Sequence, residues 1–435
     1  MPEIRPFRAL RYRLDQVGDL ADVISPPYDV ISPTEQRDLL ARHPANVVRL
    51  DLPSVDPGEE PDERYRRAAR TLAGWRSDGT LHKDPRPSIY VYEQTYTVPG
   101  TGEERSQRGF FARLRLESYG AGSGVLPHER TFPEPREDRY RLLRATGVNT
   151  SPVVVMYADR SGVAAASLAT ATASAPEVDA SGPDGVRHRL WVVPSDYAGG
   201  LAGGLVAAAG AGPITIADGH HRYETALRYR DERRMTRSCD EDPPFDYVLV
   251  LLLDITAERL TVLPTHRLLR DVGADSLARL RAALGDLFDV RDGVAREDLV
   301  RSFEGAPGAG GRGRFGLWAR DGGALLDARR DSLAPLVPPG GDAVRRLDVT
   351  LLGAALELLV AREGARLDDL LGFSKSAAAA MGEVDAGHAD AVFLLEPTPV
   401  ESVTEVAAAG DVMPQKSTYF YPKAASGLVI NPHEW

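Results

Sequence analysis

Cysteine is nearly absent from this chain of 435 residues, which contains only Cys239. This excludes an intramolecular disulfide and a cluster of thiolate metal ligands, and it fits a reducing setting. Long apolar runs are also missing, since no stretch approaches the roughly 20 residues that a transmembrane helix needs. Residues 1–10 lack the apolar segment of a secretory signal peptide. We therefore expect a cytoplasmic protein with no membrane partner.

The chain also lacks an excess of positive charge. It has 52 Lys and Arg against 63 Asp and Glu, which gives a formal net charge of −11. This balance argues against DNA or RNA as the partner but is compatible with a local basic pocket. The length and the 43% hydrophobic content are typical of a globular protein with two or three domains.

Three catalytic signatures are missing. No Gly-x-Ser-x-Gly sequence is present, which argues against a serine hydrolase, and no Gly-x-Gly-x-x-Gly follows a predicted strand, which argues against a dinucleotide enzyme. Residues 305–313 are rich in glycine, but no Gly-Lys-Ser/Thr ends them. We interpret them as a flexible loop and not as a phosphate-binding loop.

The most informative segment that is present is residues 213–229, PITIADGHHRYETALRY. A short β-branched run predicts a strand, Asp218 and Gly219 predict a turn with a helix cap, and His220 opens a helix. The free N–H groups and the dipole at a helix start favour a phosphate. Arg222 can add a bidentate contact to it.

Alternatives to this anion pocket stay open. The two histidines are also compatible with a surface pair, and Arg222 with an ion pair to a nearby acid. A zinc site on His220 and His221 is a further alternative, although adjacent side chains rarely reach one ion and no HExxH spacing occurs.

Three other segments combine polar density with turn residues. Asp29 follows two prolines and Tyr28, and it is suited to Mg²⁺, to a substrate hydroxyl or to turn capping. Residues 127–131 (PHERT) contain His128 and Glu129, a candidate general base or a loop salt bridge to Arg130. Residues 416–418 (KST) place a lysine beside two hydroxyls, which suits either a phosphate clamp or an exposed strand.

The pattern of elements predicts a mixed α/β (α+β) fold, because strands and helices occur without strict alternation. Residues 47–52, 88–98, 108–117, 153–157 and 247–254 are predicted strands. A capping box at Ser32 predicts a helix that ends near Pro44, another helix is predicted from about Pro135, and residues 231–244 are predicted to be a charged, mobile loop.

Seven motifs identify a family resemblance. The chain resembles the family known as domain of unknown function 1015 through PPYDVIS, NVVRLDLP, LPHERTF, NTSPVVVMY, IADGHHRYETAL, LPTHRLL and MPQKSTYFYPK, which start at residues 26, 46, 126, 149, 216, 263 and 413. The motifs run through almost the whole chain. The family name implies no reaction.

A second resemblance concerns residues 218–223, DGHHRY, which look like the strand–loop–helix box of ParB/sulfiredoxin-like domains. In that superfamily the box binds nucleotide phosphates, and members include nucleotide hydrolases, kinases of free L-serine and cysteine-dependent sulfinic acid reductases. Cys239 follows the box, so reductase chemistry is not expected. The resemblance implies a ParB-like core with insertions at 1–270, an α/β region at 271–412, and a segment at 413–435 that returns to the core site.

These observations lead to a hypothesis: a nucleotide-dependent phosphotransferase that uses ATP or ADP with Mg²⁺ on a small hydroxylated metabolite, with free L-serine as the first candidate. A nucleotide-binding regulatory protein and a metal-dependent hydrolase are the alternatives, and the oligomeric state, including a homodimer, stays open. The residues assigned to catalysis are Glu129, Asp29, His221 and Asp218. Those assigned to the nucleotide are Gly219, His220, Arg222, Arg139, Lys416, Ser417, Thr418 and Lys423, and those assigned to the acceptor are Tyr28, His128 and Tyr223.

Overall fold

A computed structural model describes residues 1–60, 62–120, 122–129, 133–182, 184–195, 199–236, 242–304 and 313–434. In chain order its strands are β1 Ile4–Arg5, β2 Leu10–Tyr12, β3 Leu81–Lys83, β4 Ser88–Thr97, β5 Glu104–Arg115, β6 Val125–Leu126, β7 Val148–Asn149, β8 Val153–Tyr157, β9 Val178–Ser181, β10 Arg187–Pro194, β11 Ile214–Asp218, β12 Tyr247–Asp254, β13 Thr261–Leu263, β14 His266–Leu269, β15 Phe288–Val294, β16 Arg314–Ala319, β17 Gly322–Ala328, β18 Leu371–Ser374, β19 Ala391–Leu394, β20 Tyr419–Tyr421 and β21 Asn431–Pro432.

The helices are α1 Leu14–Val17, α2 Pro33–Arg42, α3 Val48–Asp51, α4 Glu63–Ser77, α5 Pro133–Thr146, α6 Val163–Ala171, α7 Gly200–Ala209, α8 His220–Thr236, α9 Ala274–Ala283, α10 Arg296–Phe303, α11 Arg330–Leu333, α12 Asp342–Arg345, α13 Asp348–Arg362, α14 Leu367–Leu370, α15 Ala377–Asp385 and α16 Val400–Ala408. Short 3₁₀ turns cover Leu20–Asp22, Tyr28–Val30, Pro244–Asp246 and Leu284–Asp286. Within the described ranges, no helix combines the length and the apolar character that crossing a membrane requires.

Two large sheets organise these elements. The first has the order β6-β11-β8-β12-β5-β4-β10-β9, with β1 paired to β5, and it is mixed because β6/β11 and β8/β12 are parallel pairs. The second is antiparallel, in the order β15-β17-β16-β19-β14-β18. The predicted mixed α/β fold is confirmed, while the predicted domain boundaries stay a prediction.

Both faces of the first sheet are covered. Because side chains alternate along a strand, neighbouring residues enter different cores. Phe110 packs in the cluster that holds Leu205 of α7 and Tyr223 of α8, whereas Phe111 packs in the cluster that holds Leu428 of the C-terminal tail. Strand β12 is buried along its whole length, as its unbroken apolar run predicted.

Most of the predicted elements are confirmed, and the differences have local causes. The capping box at Ser32 is present, with Glu35 bonded back to the Ser32 N–H. Residues 47–52 were predicted as a strand, which is wrong: the Asn46 side chain accepts a bond from the Val48 N–H at 3.0 Å and starts the single turn α3. The predicted loop at 231–244 is wrong at its start, since α8 continues to Thr236.

Asp242 of that loop is described and pairs with Arg5 and Arg115, whereas residues 237–241, Cys239 among them, lie outside the described residues. So do Arg130 and Thr131 of the PHERT segment, and most of the glycine-rich segment, residues 305–312.

The C-terminal tail runs back through the first core. Ser426 exchanges backbone hydrogen bonds with Ser25, and the Gly427 N–H donates to the Thr150 carbonyl at 3.0 Å. The Ser426 hydroxyl also donates to Asp51, which is buried. These contacts join three distant parts of the chain and fix the position of the segment just before them, residues 413–423.

Gly427 is required where the tail passes Val47. Its φ is +89°, and a Cβ would lie 2.9 Å from the Val47 Cβ. We expect Gly427→Ala to lower the free energy of unfolding by about 1–3 kcal/mol, measured by urea denaturation. Gly353→Ala in α13 is the control, because a Cβ on Gly353 would meet nothing within 4 Å and alanine favours a helix. Equal stability of the two variants would contradict the prediction.

Candidate functional site

A cavity of about 350 Å³ lies where β11 meets α8, and all four polar segments of the sequence reach it. Residues from the second sheet complete its wall. Its lining consists of Tyr28, Asp29, Val30, Glu129, Ala217, Asp218, Gly219, His220, His221, Arg222, Thr265, Phe373, Ser374, Lys375, Lys416, Thr418, Tyr419 and Lys423. Segments almost 400 residues apart in sequence therefore share one cavity.

The floor of the cavity is the turn between β11 and α8. The strand–turn–helix arrangement predicted there is confirmed. Gly219 has a φ of +90°, and a Cβ at this position would lie 2.9 Å from the Arg222 Nε. Glycine is needed because any side chain would collide with the guanidinium and strain the backbone.

The position of Asp218 suggested a helix cap, but its carboxylate is bonded to two side chains at the cavity floor. Its carboxylate accepts a bond from the Arg222 Nη2 at 2.5 Å and a second bond from the Lys423 Nζ. Burial would raise the pKa of Asp218, but the charges of Lys423 and Arg222 outweigh it and hold that pKa well below its usual range. Asp218 is thus ionised and aligns two cations at the cavity floor.

Arg222 is anchored on both sides, because its Nη1 also donates to the Pro152 carbonyl. The ion pair with a nearby acid, one of the alternatives that the sequence offered for Arg222, is present, and its contact with a phosphate stays a prediction. The guanidinium lines the cavity as a fixed positive charge, and its two Nη atoms are already bonded to the protein.

His128 and His220 are buried and packed edge to face, with ring centroids 4.7 Å apart. The His220 Nε2 accepts a bond from the His128 backbone N–H at 3.2 Å, and His128 places Nδ1 2.5 Å from the Ile216 carbonyl and Nε2 3.1 Å from the Thr418 hydroxyl. Burial lowers the pKa of His128 to about 4 and that of His220 well below its usual value. Both rings are neutral at pH 7 and act as hydrogen-bonding supports, and the assignment of His220 to the nucleotide stays a prediction.

Glu129 is the titratable group best suited to proton transfer. Burial raises its pKa to about 7, partly opposed by a hydrogen bond from the Lys416 backbone N–H and by the charge of Lys416. The segment around it is paired with the tail, because the Met413 N–H donates to the His128 carbonyl at 2.8 Å. A carboxylate with a pKa near neutrality can both accept and release a proton under physiological conditions.

Lys416 has a backbone φ of +57°, which is unusual for a residue with a side chain. Its carbonyl accepts bonds from both Nη atoms of Arg267, each at 3.2 Å, and Arg267 is itself buried. This clamp holds the backbone in the left-handed region. The Lys416 side chain is exposed at the cavity and, within the described part of the chain, no carboxylate pairs with its ammonium.

Lysine is rare in this protein and concentrated at this cavity. The sequence contains four lysines, and three of them, Lys375, Lys416 and Lys423, line the cavity. Elsewhere the cations are almost all arginine. An ammonium is a compact point charge on a flexible stem, whereas a guanidinium favours fixed bidentate pairing.

Asp29 and Tyr28 enter the cavity wall from the 3₁₀ turn after Pro27. Asp29 is exposed, and no partner of its carboxylate occurs among the residues that the structure describes. Burial raises the pKa of Tyr28 to about 12, and the Arg139 guanidinium lies 4.0 Å from its ring centroid. His221 also lines the wall, and burial lowers its pKa.

Four residues assigned to the site do not line this cavity. Arg139 is buried behind Tyr28 and bonded to Asp138 and to the Asp51 carbonyl. Ser417 turns its hydroxyl to the Pro414 carbonyl at 2.5 Å. Tyr223 is fully buried with its hydroxyl on the Glu117 backbone, and His128 lies behind Thr418. Protein groups occupy the polar atoms of these four residues and the structure gives them supporting contacts, so their assignments to nucleotide or acceptor stay predictions.

The lining residues that were not assigned from the sequence include Thr265, Phe373 and Lys375. Thr265 is buried, and its hydroxyl has no hydrogen-bond partner among the residues that the structure describes. Thr265 lies in the LPTHRLL motif, which was the available signal, whereas Phe373 and Lys375 lie in no quoted motif. Phe373 lies on β18 and Lys375 directly follows it, and β18 is the strand of the second sheet that pairs with β14.

The described residues contain no group of three His, Cys, Asp or Glu placed to hold a metal ion. Mg²⁺ does not need such a group when it arrives on a nucleotide, because phosphate oxygens and water complete its coordination around one or two carboxylates. Asp29, whose carboxylate has no partner in the described part of the chain, fits that role.

Comparison with known proteins gives one family and a few distant structures. The family model described as "Protein of unknown function (DUF1015)" matches residues 4–350. No curated protein matches the chain.

Among solved structures, a free serine kinase in complex with AMP is 15% identical, with a TM-score of 0.34 over 68% of this chain and 83% of that chain. A conserved hypothetical protein from Pyrococcus furiosus is 15% identical (TM-score 0.33; 68% and 87%). C-terminally truncated SbnI from Staphylococcus aureus is 9% identical (TM-score 0.34; 70% and 82%). These scores describe a loose likeness in chain path, and they carry no argument about ligands.

Proposed function

Because this chain belongs to the DUF1015 family of proteins of unknown function, we propose its function from the cavity: a nucleotide-dependent phosphotransferase that acts on a small hydroxylated metabolite. One observation carries the proposal. Three of the four lysines of the chain surround the same cavity as Glu129, a carboxylate whose pKa is raised to about 7. Phosphoryl transfer needs charge neutralisation, positioning and a proton acceptor, and these residues supply them.

The nucleotide phosphates would lie against Arg222, Lys416 and Lys423, which line the cavity together with the turn after β11. Asp218 keeps two of these cations aligned through its paired carboxylate. Mg²⁺, bound to the nucleotide, would neutralise the phosphate oxygens, with Asp29 as its protein ligand.

Glu129 would act on the acceptor. Its carboxylate takes the proton of the acceptor hydroxyl while that oxygen forms a bond to the terminal phosphorus. The bond between this phosphorus and the bridging oxygen breaks, and its electron pair leaves with ADP, or with AMP when ADP is the donor. The unpartnered Thr265 hydroxyl, which lines the same cavity, supplies a hydrogen bond for the acceptor.

Free L-serine is the first acceptor to test, since a small hydroxy amino acid has a volume well below that of the cavity. Purified protein is incubated with Mg-ATP or Mg-ADP and a panel of hydroxylated metabolites, and phosphorus NMR follows the products. A new phosphomonoester signal that requires the acceptor supports the proposal. Release of inorganic phosphate without an acceptor would indicate a nucleotide hydrolase, and binding without any turnover would indicate a regulatory protein.

Replacing Lys416 tests the role of its charge in catalysis separately from any effect on the stability of the fold. We expect Lys416→Met to lower kcat about 100-fold, because it removes a charge that faces the transferred group. The free energy of unfolding should change by less than about 0.5 kcal/mol, because the side chain is exposed. Steady-state kinetics and urea denaturation measure the two quantities.

The matched control is Lys83→Met, which changes the one lysine that does not line the cavity and instead lies 3.4 Å from Glu434. Lys416→Arg should recover only part of the rate, since a planar guanidinium cannot replace a point charge in a confined position. Full activity in Lys416→Met would remove Lys416 from the mechanism.

A further inference from the structure

Phe373 places an exposed aromatic ring at the wall of a cavity that is lined mainly by polar and charged residues. The residue is 43% exposed, and no other exposed large apolar residue among the described ones is aromatic. Exposing a phenyl ring to water is unfavourable, so a ring kept at a cavity wall is expected to meet an apolar surface of a ligand.

The other two aromatic rings of the cavity already have cationic partners. The Tyr419 ring is contacted by the ammonium groups of Lys375 at 4.0 Å and Lys423 at 4.4 Å, and the Tyr28 ring is contacted by Arg139. Phe373 is contacted by Arg267, whose guanidinium carbon lies 4.7 Å from the ring centroid. Its large exposed fraction leaves ring surface available to a ligand.

The position of Phe373 is fixed relative to the cationic wall. Arg267 and Phe373 are register partners across β14 and β18, and the same guanidinium binds the Lys416 carbonyl. The buried Arg267 side chain thus contacts both the Phe373 ring and the backbone of Lys416. A ligand that reaches from Phe373 to Lys416 needs a flat apolar part at one end and an anionic part at the other.

We infer that Phe373 is the platform on which the nucleobase of the bound nucleotide stacks. This rests on the proposed function, which places the phosphates at Arg222, Lys416 and Lys423. Stacking on an aromatic ring tolerates any base, so the platform binds the nucleotide class and adds affinity that inorganic polyphosphate cannot gain.

Calorimetric titration of Mg-ATP and of Mg-tripolyphosphate into the full chain distinguishes binding of the nucleobase at Phe373 from binding of the phosphates at the cationic wall. We expect Phe373→Ala to weaken ATP binding roughly 10- to 100-fold and to leave tripolyphosphate binding within about twofold of the wild type. Phe373→Trp should restore ATP binding, and its indole fluorescence should be quenched on addition of ATP. Val290→Ala, at an exposed apolar position of edge strand β15 in the same sheet, is the control.

Each outcome decides the inference. Unchanged ATP binding in Phe373→Ala overturns it. An equal loss of ATP and tripolyphosphate also overturns it, because Phe373 would then act only by supporting Arg267 and the Lys416 segment. If the wild type binds neither ligand, the proposed function itself fails. If the wild type binds ATP and Phe373→Ala binds it equally well, only the stacking role of Phe373 is contradicted.

Discussion

Replacing Glu129 by glutamine should lower kcat about 1000-fold while nucleotide affinity stays within a fewfold of the wild type. Glutamine keeps the size of the side chain and removes its ability to take a proton, and a positioned base contributes about 100- to 10,000-fold. The loss should therefore appear in kcat and not in the dissociation constant of the nucleotide. Stopped assays of phosphorylated product and calorimetric titration of Mg-ATP measure the two values.

The pH dependence gives a second signature of Glu129. The active form is the carboxylate, and burial raises its pKa to about 7. The wild-type kcat/KM should therefore be low in acid, reach half of its plateau near pH 7 and level off above it. In Glu129→Gln this rise should be absent.

Glu405→Gln is the control for Glu129, because Glu405 pairs with Arg346 at the surface and lies on α16, outside the cavity lining. Two results would contradict the assignment: a Glu129→Gln variant that keeps more than a tenth of the activity, or one that keeps the wild-type pH profile. In the second case another group, with Asp29 as the first candidate, accepts the proton.

Replacing Asp218 by asparagine should cost about 3 kcal/mol in the free energy of unfolding. The substitution leaves Arg222 and Lys423 as two neighbouring cations without their shared carboxylate, in a largely buried position. Removing one member of a buried ion pair is costly because the remaining charge has lost both water and partner. Urea denaturation of the wild type and the variant at pH 7 measures the difference.

The pH dependence of this difference has a definite sign. The folded-state pKa of Asp218 is depressed by Lys423 and Arg222 although burial opposes it. Its stabilising contribution is therefore complete above the pKa of aspartate in an unfolded chain, about 4, and it is lost as the pH falls further. The gap between wild type and Asp218→Asn should be constant from pH 5 to 8 and should narrow below pH 4.

The double variant Asp218→Asn, Lys423→Met should lose less free energy of unfolding than the sum of the losses in the two single variants, because it removes a charge together with its partner. Asp179→Asn is the matched control. Asp179 pairs with Arg187 at 2.6 Å on the surface, where such pairs contribute little. A loss in Asp218→Asn no larger than that of this control would contradict the role of Asp218 in aligning the cations.

Much of the site could be located from local sequence, for a physical reason. The β-branched run 214–216, the Asp218–Gly219 pair and the helical pattern after His220 each depend on neighbouring residues, so the strand, turn and helix were predictable. The capping box at Ser32 was predictable for the same reason. The segments at Asp29, Glu129 and Lys416 stood out through their density of polar and turn-forming residues, and all three line the cavity.

The side chains that support the cavity could not be separated from those that face it. Arg139 and Lys416 are both cations in polar segments, yet one is buried against Asp138 and the other is exposed at the cavity. The difference depends on packing between helices α4 and α5 and on the Arg267 clamp, which involve residues far apart in the chain.

What the sequence determined by itself is the mixed α/β fold and the strand–turn–helix element that forms the cavity floor, because short-range periodicity and turn chemistry encode them. The family was identified separately, through the resemblance of its motifs. Only the tertiary structure decided that His128 and His220 are neutral and that Glu129 titrates near neutrality, since burial sets these pKa values. It also decided that Phe373 and Lys375 complete the wall, because the pairing of β14 with β18 carries them there across about 100 residues of sequence.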